Sequence, residues 1–137
     1  MPTADRMSLD LKFHHFIEES MKTPLVWGVS DCSSWPAAWV EKITGTSIML
    51  PVWGSETEAF TLIAAAGSLE ALWHQALAVS GLRQTGAPEL GDVGIIETRV
   101  CGQVGGIFLP AGLFAWRAEI GVRMLVPRQV VAAWSFR

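Results

Sequence analysis

The sequence has no tyrosine, only two cysteines and only three histidines among its 137 residues, and each shortage excludes something. Cys32 and Cys101 are too few to build the disulfide framework of a small secreted domain. There is no CxxC and no HExxH, and His14 and His15 are adjacent, so on a helix they point about 100° apart. No metal site and no cofactor are expected. Ten Lys and Arg stand against thirteen Asp and Glu, for a net charge of −3. The basic residues are scattered and form no stripe, which removes the electrostatic case for nucleic acid. A long apolar run is also missing. The longest candidate, "LIAAAGSLEALW", is interrupted by Gly67, Ser68 and Glu70, well short of the roughly 20 residues that span a bilayer. No membrane insertion is expected. The opening "MPTADRMSLDLKFHH" carries acids and lacks an apolar stretch. It does not read as a signal peptide, which places the chain in the cytoplasm at synthesis.

Half of the residues are apolar and the mean hydropathy is +0.35. The length suits one domain, residues 1–137, around one core. The surplus apolar surface predicts either a large core or a subunit buried in a homo- or hetero-oligomer. Seven tryptophans contribute much of it.

Helical signals occupy about residues 7–81. Phe13, Phe16, Ile17 and Met21 share one face of a helix that Pro24 ends. A second helix is predicted from Cys32 to about Thr44, with Trp35, Trp39, Val40 and Ile43 inward, Ser30 or Asp31 as N-cap and Gly45 as the stop. Pro36 is tolerated there because it lies in the first turn. Ser55 and Glu58 form a capping box for a third helix closed by Gly67, and Ser68 caps a fourth that stops at Gly81. From about residue 92 to 126 the texture changes. "VGIIETRV", "QVGGIFL", "LFAWRAEI" and "VRMLVP" are short β-branched or aromatic runs separated by glycine, which read as an antiparallel meander. "PRQVVAAW" predicts a terminal helical turn. Helices followed by strands predict an α+β fold.

The stretch "VWGVSDCSSW" places Cys32 behind Asp31 at a helix start. Unsatisfied N–H groups and the helix dipole there favour a thiolate and can hold an oxyanion. Trp27 and Gly28 would shape the approach to that helix end. An ordinary buried cysteine in a tryptophan-rich core is the alternative.

"WGVSDCSSWPAAWVEKITG", followed by "PELGDVGII" and "VGGIFL", resembles the NlpC-type papain-like cell-wall peptidases. The likeness is greatest to a small branch found in phage and prophage tail gene clusters, and covers about Trp27 to Trp134. The resemblance implies a papain-like fold in which the cysteine helix packs on a small sheet. It implies Cys32 as the nucleophile on a murein stem peptide, with a histidine on the strand after "GDVGII" as its base. That strand reads Gln103-Val104-Gly105-Gly106-Ile107 and holds no histidine, and Gly105-Gly106 would leave empty the place where one would project. His74, mid-helix in "EALWHQAL", and His14 or His15 are the remaining bases within the chain. Trp27, Gly28, Asp31, Trp53 and Gln103 are the expected substrate-binding set, and Cys101 a possible neighbour of Cys32. The expected function is a tail-associated protein on a peptidase-derived scaffold, weakly active or inactive, used in assembly or cell-wall contact. Its partners would be other phage tail proteins or peptidoglycan, and it would be incorporated into a phage particle. The alternatives are an active cysteine hydrolase of peptidoglycan and a toxin or immunity-type module on the same scaffold.

Overall fold

A computed structural model describes the chain from residue 2, and its side chains from Ser8 to Arg137. Among the described residues it is an α+β fold of four α-helices and one six-stranded sheet. The first helix, α1, runs Pro2–Lys22 and buries Phe13, with Phe16 and Ile17 packed at the core edge. Met21, expected on the same face, is 55% exposed. Its sulfur instead accepts the Val122 N–H at 3.2 Å, beside Gly121. Helix α2, Ser34–Thr44, buries Trp35, Trp39 and Val40, and Gly45 ends it in the left-handed conformation. Helices α3, Glu56–Ala66, and α4, Leu69–Leu77, begin at Ser55 and Ser68, whose side chains accept from the Glu58 and Ala71 N–H groups. The reciprocal capping-box bond is displaced by one residue, since the Glu58 carboxylate accepts from the N–H of Gly54. α4 stops four residues before Gly81, with Ala78 as its cap.

The strands are β1, Arg83–Gln84; β2, Val93–Thr98; β3, Gly102–Phe108; β4, Phe114–Arg117; β5, Val122–Leu125; and β6, Gln129–Ser135. They lie in the order β1-β6-β2-β3-β4-β5, with antiparallel pairing at every step. The predicted meander therefore exists as β2 to β5. The predicted helical turn at "PRQVVAAW" does not: those residues form β6, which returns to the other side of β2. The β-branched pair Val130-Val131 favours strand over helix, and β6 gains a hydrogen-bonded neighbour on both sides. The sheet accordingly extends from Arg83 to Ser135, beyond the expected limits of 92 and 126.

Ile95 and Ile96 face opposite sides of the sheet by ordinary strand alternation, and at this point the β2–β6 ladder carries a bulge, Val131 of β6 being skipped between the pairs Ile95–Ala132 and Ile96–Val130. Ile95, Val93, Ile107, Ala115, Ala132 and Trp134 face the helices and share the main core with Trp35, Trp39, Leu72 and Trp73. Ile96, Val104, Phe108, Phe114 and Ala133 form a smaller cluster, with the Phe108 and Phe114 rings edge to face at 4.9 Å. The tryptophans are not simply hydrophobic ballast. Trp35 Nε1 donates to Ser20 Oγ and Trp39 Nε1 to the Gly91 carbonyl, both at 2.8 Å, whereas the buried Trp116 Nε1 has no partner among the described residues. At the sheet edge Asp92, 1% exposed, accepts from the Glu89 N–H and from Arg137. Burial raises its carboxyl above the usual range.

Candidate functional site

The segment before α2 is fixed at three places on the far end of the sheet. The Arg117 guanidinium donates to the Thr23 carbonyl, Leu25 N–H donates to the Glu119 carbonyl at 3.3 Å, and Pro24 bridges to Ile120. Arg117 is 2% exposed. It also donates to the Gly121 carbonyl at 2.6 Å, and burial lowers its pKa. Residues 26–30 then turn tightly: Ser30 N–H donates to the Val26 carbonyl at 2.8 Å and Val26 N–H to Ser30 Oγ at 2.9 Å. Gly28 lies in that turn at φ +84°, and a side chain there would collide with the Trp53 carbonyl. Both facts require glycine.

Asp31 is the hub of this turn and is 1% exposed. Its Oδ1 accepts from the N–H groups of Ser33 and Ser34, both at 3.0 Å. Its Oδ2 accepts from Gly28 N–H and Trp53 Nε1, both at 2.6 Å. Its own N–H donates to Ser34 Oγ, and its carbonyl accepts from the Trp35 N–H. Asp31 is thus the side-chain cap of α2, one of the two caps expected. Four donors already occupy its two oxygens, so it has no free acceptor to offer a ligand in the adjoining cleft. A buried carboxylate without them would be far more costly.

Cys32 follows the cap and is half-buried. Its surroundings work against the activated thiolate expected from its place at a helix start. Its pKa is pushed up from 9.0 to about 11, first by burial and then by the negative charge of Asp31. Hydrogen bonds from the Gly105 N–H, the Ser33 hydroxyl and its own N–H oppose the rise without cancelling it. The magnitudes explain the outcome. A helix N-terminus offers about 0.3–1 kcal/mol at an exposed site, whereas the shift to about 11 disfavours the thiolate by roughly 3 kcal/mol. At neutral pH Cys32 is a thiol.

Across from it lies β3. Gln103, Gly105 and Ile107 alternate onto the helix side of that strand. Gly105 is where backbone meets backbone: a methyl group there would lie 2.5 Å from the Cys32 carbonyl and collide with the Trp73 ring. The space that Gly105-Gly106 was expected to leave empty is therefore filled by Trp73. That indole donates to Ser33 Oγ at 3.0 Å. Gln103 is also redirected from the expected substrate role. Its Oε1 accepts from the Glu70 N–H at 3.0 Å, which makes it a cap for the first turn of α4.

Among the described residues, the histidines make their contacts elsewhere than at Cys32. His74 is one residue, about 100°, around α4 from Trp73. It packs edge-on against Trp134 at 5.0 Å between ring centroids and pairs with Glu70 at 3.5 Å. His14 pairs with Glu18 on α1 at 3.0 Å. Cys32 and Cys101 are both free thiols. Cys101 lies just before the start of β3 and is exposed. Among the described residues there is no His/Cys/Asp/Glu group that would hold a metal.

Trp27, Asp31, Cys32, Ser33 and Trp53 line a small cleft, closed on its other wall by Ala59, Phe60, Ile63 and Leu72. Four of the five residues expected at the site, with Cys32, thus come together at or beside one cleft. Gln103 does not line it. Sequence reading missed Trp73, Ser33 and Arg117. The spacing of Leu69, Trp73 and Leu77 marks an inward helix face, but no local signal pairs Trp73 with Gly105.

No curated protein and no solved structure matches the chain. A family model described as a domain of unknown function, DUF6950, matches residues 6–136, and the chain belongs to that family.

Proposed function

We propose that this protein is a tail-associated component of phage or prophage particles, built on a papain-like NlpC-type scaffold and used for assembly or cell-wall contact without efficient hydrolysis. The observation that carries the non-catalytic part is the surroundings of Cys32. Its thiol is held neutral by burial and by Asp31, and the strand opposite presents Gln103 and Gly105 where a base would stand. A cysteine hydrolase needs a group that takes the thiol proton and returns it to the leaving amine. Gln103 cannot do either, and its oxygen already caps α4. The packing of α2 against β3 supports the scaffold reading, and the resemblance of "SDCSSW" and "GDVGII" to tail-cluster peptidases supports the setting.

One feature favours a hydrolase instead: the Gly105 backbone and the Ser33 side chain act to lower the Cys32 pKa, as thiolate-stabilising donors would. Digestion of purified peptidoglycan by the wild type and by Cys32→Ala separates the two. The proposed function expects equal, background release of stem-peptide fragments from both. Release by the wild type alone would overturn it.

A further inference from the structure

We propose that Met21 is a peroxide-sensitive latch: oxidation of its sulfur to the sulfoxide releases the end of α1 from the outer edge of the sheet. The inference is independent of what Cys32 does.

β5 is the last strand on its side of the sheet, so its outer backbone groups have no ladder partner. The register shows which groups those are. The Ala118 N–H donates to the Gly121 carbonyl at 3.1 Å and closes the turn between β4 and β5. The next pair, Arg117 with Val122, is then a non-hydrogen-bonded pair, and the Val122 N–H points away from β4. What it meets is the Met21 sulfur, at 3.2 Å. A thioether is a weak acceptor, yet here it covers an edge amide that is otherwise open. The approach is close on a second side. A methyl group on Gly121 would lie 3.0 Å from the same sulfur, so the bare glycine leaves the sulfur its place.

Met21, Met49 and Met124 are 55%, 72% and 49% exposed. Among the described residues, Met21 alone has its sulfur on a backbone donor. Hydrogen peroxide is the oxidant of the proposed step. The sulfur lone pair attacks one peroxide oxygen, the O–O bond breaks and an S–O bond forms. The proton on the transferred oxygen passes to the departing hydroxide as water. Sulfur gives up two electrons and the peroxide takes them.

The product does not suit the contact. No atom fits between the sulfur and a nitrogen 3.2 Å away, so an oxygen added on that side pushes α1 off the edge. Added on the other side, it leaves a polar, chiral group whose sulfur has lost electron density and accepts poorly. The position of the latch gives it reach. Two residues on, the Thr23 carbonyl takes the Arg117 guanidinium, and Pro24 bridges to Ile120. Met21 therefore belongs to the seam that holds the chain on its way to Asp31. Methionine sulfoxide reductases return the sulfur to the thioether, which makes the latch reversible.

The test treats the full chain, labelled with nitrogen-15, with hydrogen peroxide and then with a thiol reductant that restores the cysteines. Peptide mass spectrometry scores each methionine, and amide hydrogen exchange reads Val122 with Ile95 and Ile107 as central-strand controls. Oxidation of Met21 should speed exchange at Val122 by about tenfold, the loss of one modest hydrogen bond, and leave the controls unchanged. Sulfoxide reductase should reverse it. Met21→Leu keeps an apolar side chain at an exposed position and so keeps the fold. It should show the faster Val122 exchange from the start and no response to peroxide, while Met49→Leu with Met124→Leu should respond like the wild type. Four results would each overturn the inference. They are a Met21 left intact when Met49 and Met124 are converted, Val122 exchange unchanged in the Met21 sulfoxide, a wild-type response in Met21→Leu, and loss of protection at the controls together with Val122.

Discussion

Trp53 Nε1 donates to Oδ2 of Asp31 at 2.6 Å across 22 residues of sequence. One indole thereby ties the loop ahead of α3 to the carboxylate that starts α2. The same oxygen takes the Gly28 N–H, so the turn and the wall of the cleft share Oδ2 while the cap bonds take Oδ1 of the same carboxylate.

Removing that acceptor should be costly. Asp31→Ala strips the cap of α2 and leaves the Trp53 and Gly28 donors buried without a partner. The expected loss is about 3 kcal/mol, a cap of about 1 kcal/mol plus unsatisfied donors of about 1–3 kcal/mol. Asp31→Asn should lose less, because one amide oxygen still accepts. Urea unfolding followed by tryptophan fluorescence measures both, and a loss below 1 kcal/mol for Asp31→Ala would contradict the hub role.

The thiol of Cys32 predicts a definite pH dependence. Its folded pKa is about 11 against 9.0 in the open chain, so between those values the folded protein keeps a proton that the unfolded chain has lost. The associated stability is fully present below pH 9.0 and is lost as pH rises through about 11, amounting to roughly 3 kcal/mol. In a Cys101→Ala background the alkylation midpoint should fall near 11, and Cys32→Ala should flatten the alkaline fall in stability. A midpoint at or below 8.5, about the value of a free cysteine, would show that the helix end outweighs burial after all.

Gly105 and Trp73 should behave as one unit. Gly105→Ala forces a methyl group into the Trp73 ring and to 2.5 Å from the Cys32 carbonyl, at an expected cost of about 1–3 kcal/mol or more from overpacking. Trp73→Leu alone opens a cavity and frees Ser33, costing about 3 kcal/mol. Together the two should cost less than their sum by about 1 kcal/mol, because the smaller side chain makes room for the methyl group. Additive losses in a double-mutant cycle would place the strain on the backbone contact alone.

The helix starts were legible because their causes are local. Ser55 and Ser68 sit a few residues from the N–H groups they accept from, and Asp31 two or three residues from three of its four donors. Four strands of the sheet were legible through their β-branched runs. β6 was not, since Val130–Trp134 is compatible with helix or strand until β1 and β2 lie on either side of it.

Sequence alone determined the α+β character, the cysteine placed behind a capping acid, and the absence of a histidine on the strand that faces it. These follow from residue type and short-range spacing. The chemistry of Cys32 was decided only by tertiary packing. A helix start invites a thiolate, but Trp73 closes over Gly105, the Asp31 charge sits next door, and desolvation outweighs the dipole. Spacing along the chain carries no measure of burial, so the same "SDCSSW" could have been an open active site. In this fold it is the covered floor of an apolar cleft.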